Sequence, residues 1–466
     1  MLLSEQLVLH RIQRSFWALL AAVATTGLSP RNVQANGAFP AVSQLVADPA
    51  DPTHLVLRSN FGLLISHDQG DQWDLVCEAG VGYQNVDPAI AVLDDGTTIA
   101  ALPNGIAHSE TECAFDLGAG VADYVADVAR SPDGPGAAAA VAVSVDIDAG
   151  VSRVWRSLDA GRSWSQLGSA LPDLNATTLD VAANDRNTLY VSGVAQSRTV
   201  TGVLARSSDG GQTWTRSEVP GASKLSAPYI AAIAARDSNT VYVRLSGTPG
   251  TLLVSHDGGA GWKAALDFTG PVDGFALSPD GRFALASGRV DGVWRASTSE
   301  LAFERVSCTK LRCLSWTHAG LFACADEFQA GFLVGESTDS GASFQPRLHL
   351  SCVRGPLACA ADSPVANACD ASWPAQSEVL GSDCANAGFT PRDECSSAGG
   401  ASGGAGAIAG ASATAGAAGT NLGRRVAGGC SFSTRTKAPW LAPSALVTVF
   451  GWARRRWARI RKARPG

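Results

Sequence analysis

The sequence repeats one short turn seven times, and the spacing of the copies constrains the fold more than any other feature. The pattern is Ser-x-Asp-x-Gly-x-x-(Trp/Phe), and the serines of successive copies lie 40 to 50 residues apart. Two copies, Ser109 with Phe115 and Ser297 with Phe303, lack the Asp and the Gly. The five full copies are Ser66, Asp68, Gly70 and Trp73; Ser157, Asp159, Gly161 and Trp164; Ser207, Asp209, Gly211 and Trp214; Ser255, Asp257, Gly259 and Trp262; and Ser337, Asp339, Gly341 and Phe344. This period is typical of four-stranded propeller blades.

Each residue of the repeated turn has a structural task. The Asp carboxylate accepts hydrogen bonds from backbone N–H groups and from the Ser hydroxyl, Gly supplies a positive φ, and the aromatic residue begins the next strand. A catalytic role would require five active sites around one ring. The repeat therefore predicts a scaffold, and no catalytic, cofactor-binding or metal-binding residue is predicted from it.

The turn resembles the Asp-box, or BNR, repeat of sialidases, sortilin-like receptors and photosystem II assembly factors. The resemblance implies a β-propeller with the turn between the third and fourth strands of each blade. We predict an all-β, seven-bladed β-propeller with four-stranded antiparallel blades over residues 36–351, followed by a small Cys-rich module and a disordered linker. No activity follows from the resemblance, because these relatives differ in function.

The N-terminus predicts export. Arg11 and Arg14 precede an apolar run from Phe16 to Leu28, and small residues follow it. This order is typical of a signal peptide, here residues 1–35 with cleavage after Ala35. A buried first strand is the alternative.

The C-terminus predicts surface attachment. Residues 352–395 form the Cys-rich module, 396–427 a Gly/Ala/Ser linker, and 428–466 a segment with Cys430, a short apolar stretch and terminal arginines. The last segment resembles the MYXO-CTERM sorting tag of myxobacterial surface proteins. The resemblance implies a transmembrane anchor processed at Cys430, and a location at the cell surface, in the outer membrane or outside the cell. A basic tail that binds nucleic acid is the alternative.

Charge argues against nucleic-acid binding by the body of the protein. Residues 36–395 carry 22 basic and 41 acidic residues, a net charge of −19. Affinity for nucleic acid comes largely from phosphate neutralisation. We expect a monomer that meets the membrane only through its C-terminal segment and binds an unknown protein or glycan, with no cofactor.

Ten cysteines besides Cys430 predict disulfides, since an even number is typical of exported proteins. Cys313 and Cys324 face one another across a predicted hairpin. Cys77 and Cys113 lie in neighbouring blades and form a second candidate pair. The Cys-rich module needs such bridges because it has few core residues. Zinc is the alternative there, but the module has no CxxC pair and no nearby His.

The face opposite the repeated turns is where a ligand is expected. The candidate ligand-face residues are Tyr83, Arg198, Tyr229, Arg289, Asp291 and Glu327. The Arg-Ile-Pro element of sialidases is absent, because the equivalent stretch reads Leu55-Val56-Leu57-Arg58. Asp291 and Glu327 are the best pair for another glycosidase, with solvated loop acids as the simpler interpretation. The sequence thus favours an exported cell-surface binding or interaction module, and a glycoside hydrolase is the alternative.

Overall fold

The chain forms a seven-bladed β-propeller in which every blade is a four-stranded antiparallel sheet. The computed structural model describes residues 39–132, 138–196 and 200–387. Strands of a blade follow one another in sequence, so each sheet is a meander. The predicted fold and blade number are confirmed.

The strands of the first four blades are as follows. Blade 1 contains β1 (Val42–Ala47), β2 (Leu55–Ser59), β3 (Gly62–Ser66) and β4 (Trp73–Cys77); blade 2 contains β5 (Ile90–Val92), β6 (Thr98–Leu102), β7 (Gly105–Ser109) and β8 (Asp116–Leu117); blade 3 contains β9 (Tyr124–Arg130), β10 (Ala140–Asp146), β11 (Val151–Ser157) and β12 (Ser165–Gln166); blade 4 contains β13 (Leu174–Ala182), β14 (Asp185–Gln196), β15 (Val200–Ser207) and β16 (Thr215–Glu218).

The remaining blades repeat this order. Blade 5 contains β17 (Pro228–Ile233), β18 (Val241–Leu245), β19 (Gly250–Ser255) and β20 (Lys263–Phe268); blade 6 contains β21 (Gly274–Leu277), β22 (Phe283–Gly288), β23 (Gly292–Ser297) and β24 (Glu304–Ser307); blade 7 contains β25 (Leu311–Thr317), β26 (Gly320–Ala325), β27 (Val334–Ser337) and β28 (Gln345–Leu348). Short helices α1 (Glu78–Val81) and α2 (Glu327–Ala330) occur between strands, and α3 (Pro364–Leu380) follows the last blade.

The five full turns share one hydrogen-bond pattern between the third and fourth strands. In each, the Ser hydroxyl donates to the Asp carboxylate at 2.7–2.9 Å. The Gly N–H donates to the Ser oxygen at 2.8–2.9 Å. The carboxylate also accepts the N–H six residues after the Ser, at 2.7–2.9 Å. The Asp residues therefore close their own turns.

The hydrophobic cores lie between neighbouring blades. Trp73 of blade 1 packs in one cluster with Phe322 of blade 7, and Trp164 of blade 3 packs with Ile99 of blade 2. The aromatic residue of a turn thus contacts the preceding blade, and the repeat builds the contacts between blades as well as the blades themselves.

The ring closes without a shared blade, because blades 1 and 7 are each built from consecutive strands. The chain after blade 7 instead returns to blade 1, where β29 (Val353–Pro356) pairs in parallel with β4. Helix α3 then packs against β4 and α1. We call residues 353–384 the clasp, because they cross the seam between the last and first blades.

Disulfides fix the clasp to two blades. Cys369 on α3 is bonded to Cys77 at the end of β4, and Cys359 is bonded to Cys113 of blade 2. The prediction that Cys77 pairs with Cys113 is therefore wrong. Each of these two cysteines lies against the clasp, whose position the sequence did not reveal.

The other described disulfides are local. Cys313 and Cys324 occupy opposed positions of the β25–β26 hairpin and are bonded, as the hairpin predicted. Cys352, the residue before the clasp, is bonded to Cys384 at the end of the clasp, and Cys308 is disulfide-bonded too.

Several sequence predictions fall outside the described residues. They concern the leader with Ala35, the candidate ligand residue Arg198, the linker, and the C-terminal segment with Cys430. Within the part of the chain that the structure describes, no helix is both long and apolar enough to cross a membrane.

Candidate ligand site in the central channel

The innermost strands of the blades surround a polar cavity of about 520 Å³ on the propeller axis. Every blade contributes to its wall, through its first strand or the residues that lead into it. Extra residues in β1, β13 and β17 disturb the pairing with the second strand, and these residues are Ser43, Thr177 and Ala231. All three line the cavity. A bulge of this kind changes the direction of side chains from the one that regular pleating would give them.

Arg58, on β2, contributes one paired charge to the cavity. Its Nε lies 2.9 Å from Asp87 Oδ1 and also donates to Ser43 Oγ at 2.9 Å. One terminal nitrogen donates to the carbonyl of Pro88 at 3.1 Å. Burial lowers the pKa of Arg58, but an arginine stays protonated. Its charge is already balanced.

Asp273, before β21, is balanced in the same way. Both of its carboxylate oxygens accept from Arg289, at 3.0 Å from Nε and 3.1 Å from Nη2. Arg289 was predicted to face the ligand, but it is not among the residues that line the cavity. Its bidentate pair neutralises a carboxylate that does line it.

Arg244, on β18, is different because no carboxylate balances it. Its guanidinium lies over the Tyr229 ring at 5.0 Å and donates one hydrogen bond, of 3.0 Å, to the carbonyl of Val272. Among the described residues it has no ion pair. Burial lowers the pKa of Arg244, yet the group keeps its charge. The cavity therefore contains a cation that lies over an aromatic face, with Asp273 near enough to act on it electrostatically but not in an ion pair with it.

Asp127, on β9, adds less negative charge than its type suggests. Its oxygens accept backbone N–H groups from Val128 at 3.0 Å and from Leu179 of blade 4 at 2.9 Å. Burial raises the pKa of Asp127 to about 7, and the nearby Asp180 adds to this effect. Burial also raises the pKa of Asp180 to about 6. Near neutral pH, a large share of Asp127 is protonated.

The structure distributes the predicted ligand-face residues among different tasks. Tyr229 lines the cavity. Tyr83 is only 3% exposed, and burial raises its pKa; within the described residues its hydroxyl has no hydrogen-bond partner. Asp291 accepts N–H bonds from Thr269 and Gly270.

The predicted carboxylate pair does not meet in the cavity. Glu327 accepts from His349 Nδ1 at 3.1 Å and from the Leu350 N–H at 2.7 Å. Neither Asp291 nor Glu327 lines the cavity. Both acids bind the loops that surround them instead.

Sequence reasoning missed Arg58, Arg244 and Asp127. One signal was present: each interrupts an apolar strand, as in Val241-Tyr242-Val243-Arg244-Leu245. A charge in a buried strand is costly unless it is paired or functional.

Comparison with known proteins supports no family assignment. No protein-family model matches the chain, and no curated protein matches its sequence. Solved structures similar to it include a GH74 enzyme of Niastella koreensis, at 16% identity and a TM-score of 0.31, with 65% of this chain and 62% of that one covered. Another is the extracellular domain of a hybrid two-component system of B. thetaiotaomicron, at 14% identity and a TM-score of 0.45, with 61% and 37% covered. A third is YCF48 bound to D1 peptide, at 18% identity and a TM-score of 0.33, with 48% and 66% covered. The chain thus spans less than two thirds of the length of these proteins.

Proposed function

We propose that this chain is an exported cell-surface binding module whose ligand places an anionic group against Arg244 in the central cavity. The observation that carries the proposal is the Arg244 guanidinium over Tyr229, which forms no ion pair within the described residues. Buried charges are normally paired. Arg58, the other arginine in the cavity wall, already has Asp87, so Arg244 is the one available to a ligand.

A carboxylate on the ligand would supply the ion pair that Arg244 lacks. Arginine binds a carboxylate through two parallel N–H bonds, and these charge-assisted bonds are about twice as strong as neutral ones. Tyr124, Thr177 and Thr178 also line the cavity, where the Thr177 hydroxyl bonds to the Pro228 carbonyl and the Thr178 hydroxyl to Ser192 Oγ. These groups suit a small polar ligand, or the end of a peptide or glycan, rather than an apolar one.

Export is the second part of the proposal. Four described disulfides, two of them joining distant parts of the chain, suit an oxidising compartment. The leader ending at Ala35 and the Cys430 segment support the same location. We extend the proposal to attachment at the surface of a myxobacterial cell. The turns resemble Asp-box repeats, and the C-terminus resembles a MYXO-CTERM tag.

A glycoside hydrolase is the second candidate, and Asp127 is the observation that favours it. A carboxyl group with a pKa raised to about 7 can act as a general acid near neutral pH. Its oxygens, however, accept two backbone N–H bonds, and the one from Leu179 connects blade 3 to blade 4. This role in structure is the reason that we rank binding first.

An array of glycans and peptides tests the proposal. The purified full chain is applied to paired members that differ only in a carboxylate, such as uronic-acid and neutral oligosaccharides or acidic and amidated peptides. We expect binding to the anionic members. Arg244→Ala should weaken it by about tenfold or more, because a hydrogen bond to a charged group contributes about 1.5–3 kcal/mol.

The matched control is Arg206→Ala. Arg206 also stacks on a tyrosine, Tyr190, but lies outside the cavity wall. Its loss should leave binding unchanged. Equal binding by wild type and Arg244→Ala would contradict the proposal. Cleaved members on the array, with turnover abolished in Asp127→Asn, would establish the hydrolase instead.

A further inference from the structure

Four polar side chains meet on the turn face at the junction of blades 1 and 2, away from the central cavity. Asp48 and His54 belong to the β1–β2 turn, His67 to the β3–β4 turn, and Glu112 to the corresponding turn of blade 2. One possible ligand atom from each of His54, His67 and Glu112 lies within 4.8 Å of the others. Two of the seven histidines of the chain thus converge on one carboxylate.

The two imidazoles present the same nitrogen to that carboxylate. His54 Nε2 lies 2.8 Å from Glu112 Oε1, and His67 Nε2 lies 3.2 Å from Glu112 Oε2. The rings are stacked, with centroids 4.8 Å apart and planes 18° from parallel. Glu112 and His54 are buried, whereas the His67 side chain is 59% exposed.

Asp48 holds His54 from its other side. Asp48 Oδ2 lies 3.1 Å from His54 Nδ1, while its Oδ1 accepts the N–H groups of Ala50 and Asp51 at 2.8 and 3.1 Å. When His54 is neutral and its Nδ1–H donates to this fixed carboxylate, the Nε2 lone pair faces Glu112. Histidines that bind metal ions are oriented by carboxylates in this way.

The incomplete turn of blade 2, which begins at Ser109, explains how Glu112 reaches this position. Glu112 is the third residue after Ser109 and has a φ of 61°, and Gln69, the third residue after Ser66, has the same φ. The Gln69 side chain donates across the seam to the Ala319 carbonyl of blade 7 at 2.9 Å. This turn position therefore extends toward the preceding blade, and blade 2 has a carboxylate there.

We propose that His54, His67 and Glu112 bind one divalent transition-metal ion of the zinc type, with Asp48 as the residue that orients His54. A lone pair and a carboxylate oxygen 2.8 Å apart repel each other unless a proton or a cation lies between them. In a tetrahedral zinc site with bonds of about 2.0–2.1 Å, neighbouring ligand atoms are about 3.3 Å apart. The observed nitrogen–oxygen separations of 2.8 and 3.2 Å must open slightly, and the most distant ligand atoms, up to 4.8 Å apart, must approach each other.

The donor set selects the class of ion. Two imidazoles and one carboxylate suit zinc, cobalt, nickel and copper better than calcium or magnesium, which prefer oxygen ligands. The exposed side of His67 leaves the fourth position to water. A bound ion would join blade 1 to blade 2 on the turn face, away from the central cavity.

Zinc titration of the full chain tests the site. The protein is prepared without a histidine tag, treated with EDTA, and titrated with zinc chloride by calorimetry. We expect one ion per chain with a micromolar or tighter dissociation constant. His67→Ala should weaken this binding by at least tenfold. Because the His67 side chain is exposed, its replacement should leave the fold intact.

His256→Ala is the matched control. His256 occupies the same position in the turn of blade 5, where its ring contacts Thr240 Oγ1 at 3.0 Å and, within the described residues, forms no ion pair. It should bind zinc as wild type does. Glu112→Gln should abolish the visible d–d absorption that Co²⁺ gives in a tetrahedral site. Absence of saturable zinc binding, or binding by His67→Ala as tight as that of wild type, would overturn the proposal and leave an ion pair only.

Discussion

The disulfide between Cys77 and Cys369 joins blade 1 to the clasp, and its removal should lower the free energy of unfolding by about 4 kcal/mol. While the Cys113–Cys359 bond is intact, the bond closes a loop of about 36 residues from Cys77 to Cys113 and about 10 from Cys359 to Cys369. For about 46 residues, the loss of chain entropy in the unfolded state corresponds to about 4 kcal/mol at 25 °C.

The two clasp disulfides should not be additive. Without Cys113–Cys359, the loop that Cys77–Cys369 closes spans the full separation of 292 residues. The same relation then gives about 5.7 kcal/mol. Removal of the second clasp disulfide should therefore lower the free energy of unfolding by more than removal of the first, in either order.

Guanidinium unfolding followed by tryptophan fluorescence measures both effects. The variant is Cys77→Ala/Cys369→Ala, and the control is Cys313→Ala/Cys324→Ala, whose bond spans 11 residues. The control should cost about 2.8 kcal/mol. A loss from the clasp variant no larger than that of the control, or strict additivity of the two clasp bonds, would refute this reasoning.

Two further predictions concern the turns and the buried acids. Asp159→Ala should lower the free energy of unfolding by about 1–2 kcal/mol, because the Ser163 N–H and the hydroxyls of Ser157 and Ser163 lose their acceptor; Leu158→Ala, at a residue that is 70% exposed in the same turn, should change it by less than about 0.5 kcal/mol in the same denaturant titration, and equal effects would contradict the role of the Asp. Burial raises the pKa of Asp127 to about 7 and that of Asp180 to about 6, both from 3.8. Between the unfolded and the folded pKa of each group, the folded chain therefore binds more protons than the unfolded chain. The contribution of these two groups to the free energy of unfolding should therefore fall as pH rises from 4 to 7, and Asp127→Asn should remove the Asp127 part of it; a pH dependence unchanged by this substitution would show that Asp127 titrates normally.

The architecture was predictable because its information is local. The turn recurs once per blade, always between the third and fourth strands. The Cys313–Cys324 bond was predictable for the same reason, since one hairpin contains both residues. A repeat that specifies its own unit also specifies how many units there are.

The clasp and the two sites depend on contacts between distant segments. Nothing near Cys77 indicates that its partner lies 292 residues away. Arg244 looks like one charge in an apolar strand until the other blades surround it. Glu112 belongs to a turn that lacks the Asp and the Gly of the pattern, and His67 lies in a repeated turn, on the face where no ligand was expected. Only the ring brings that glutamate and both histidines together.

The most direct test of the central claim is the affinity of the tightest anionic array member for wild type and for Arg244→Ala, measured by calorimetry at one salt concentration. The account predicts that wild type binds one ligand per chain and that the variant binds at least tenfold more weakly, while Arg206→Ala binds normally. Affinities of wild type and Arg244→Ala that agree within twofold would show that the ligand does not use the central cavity as proposed.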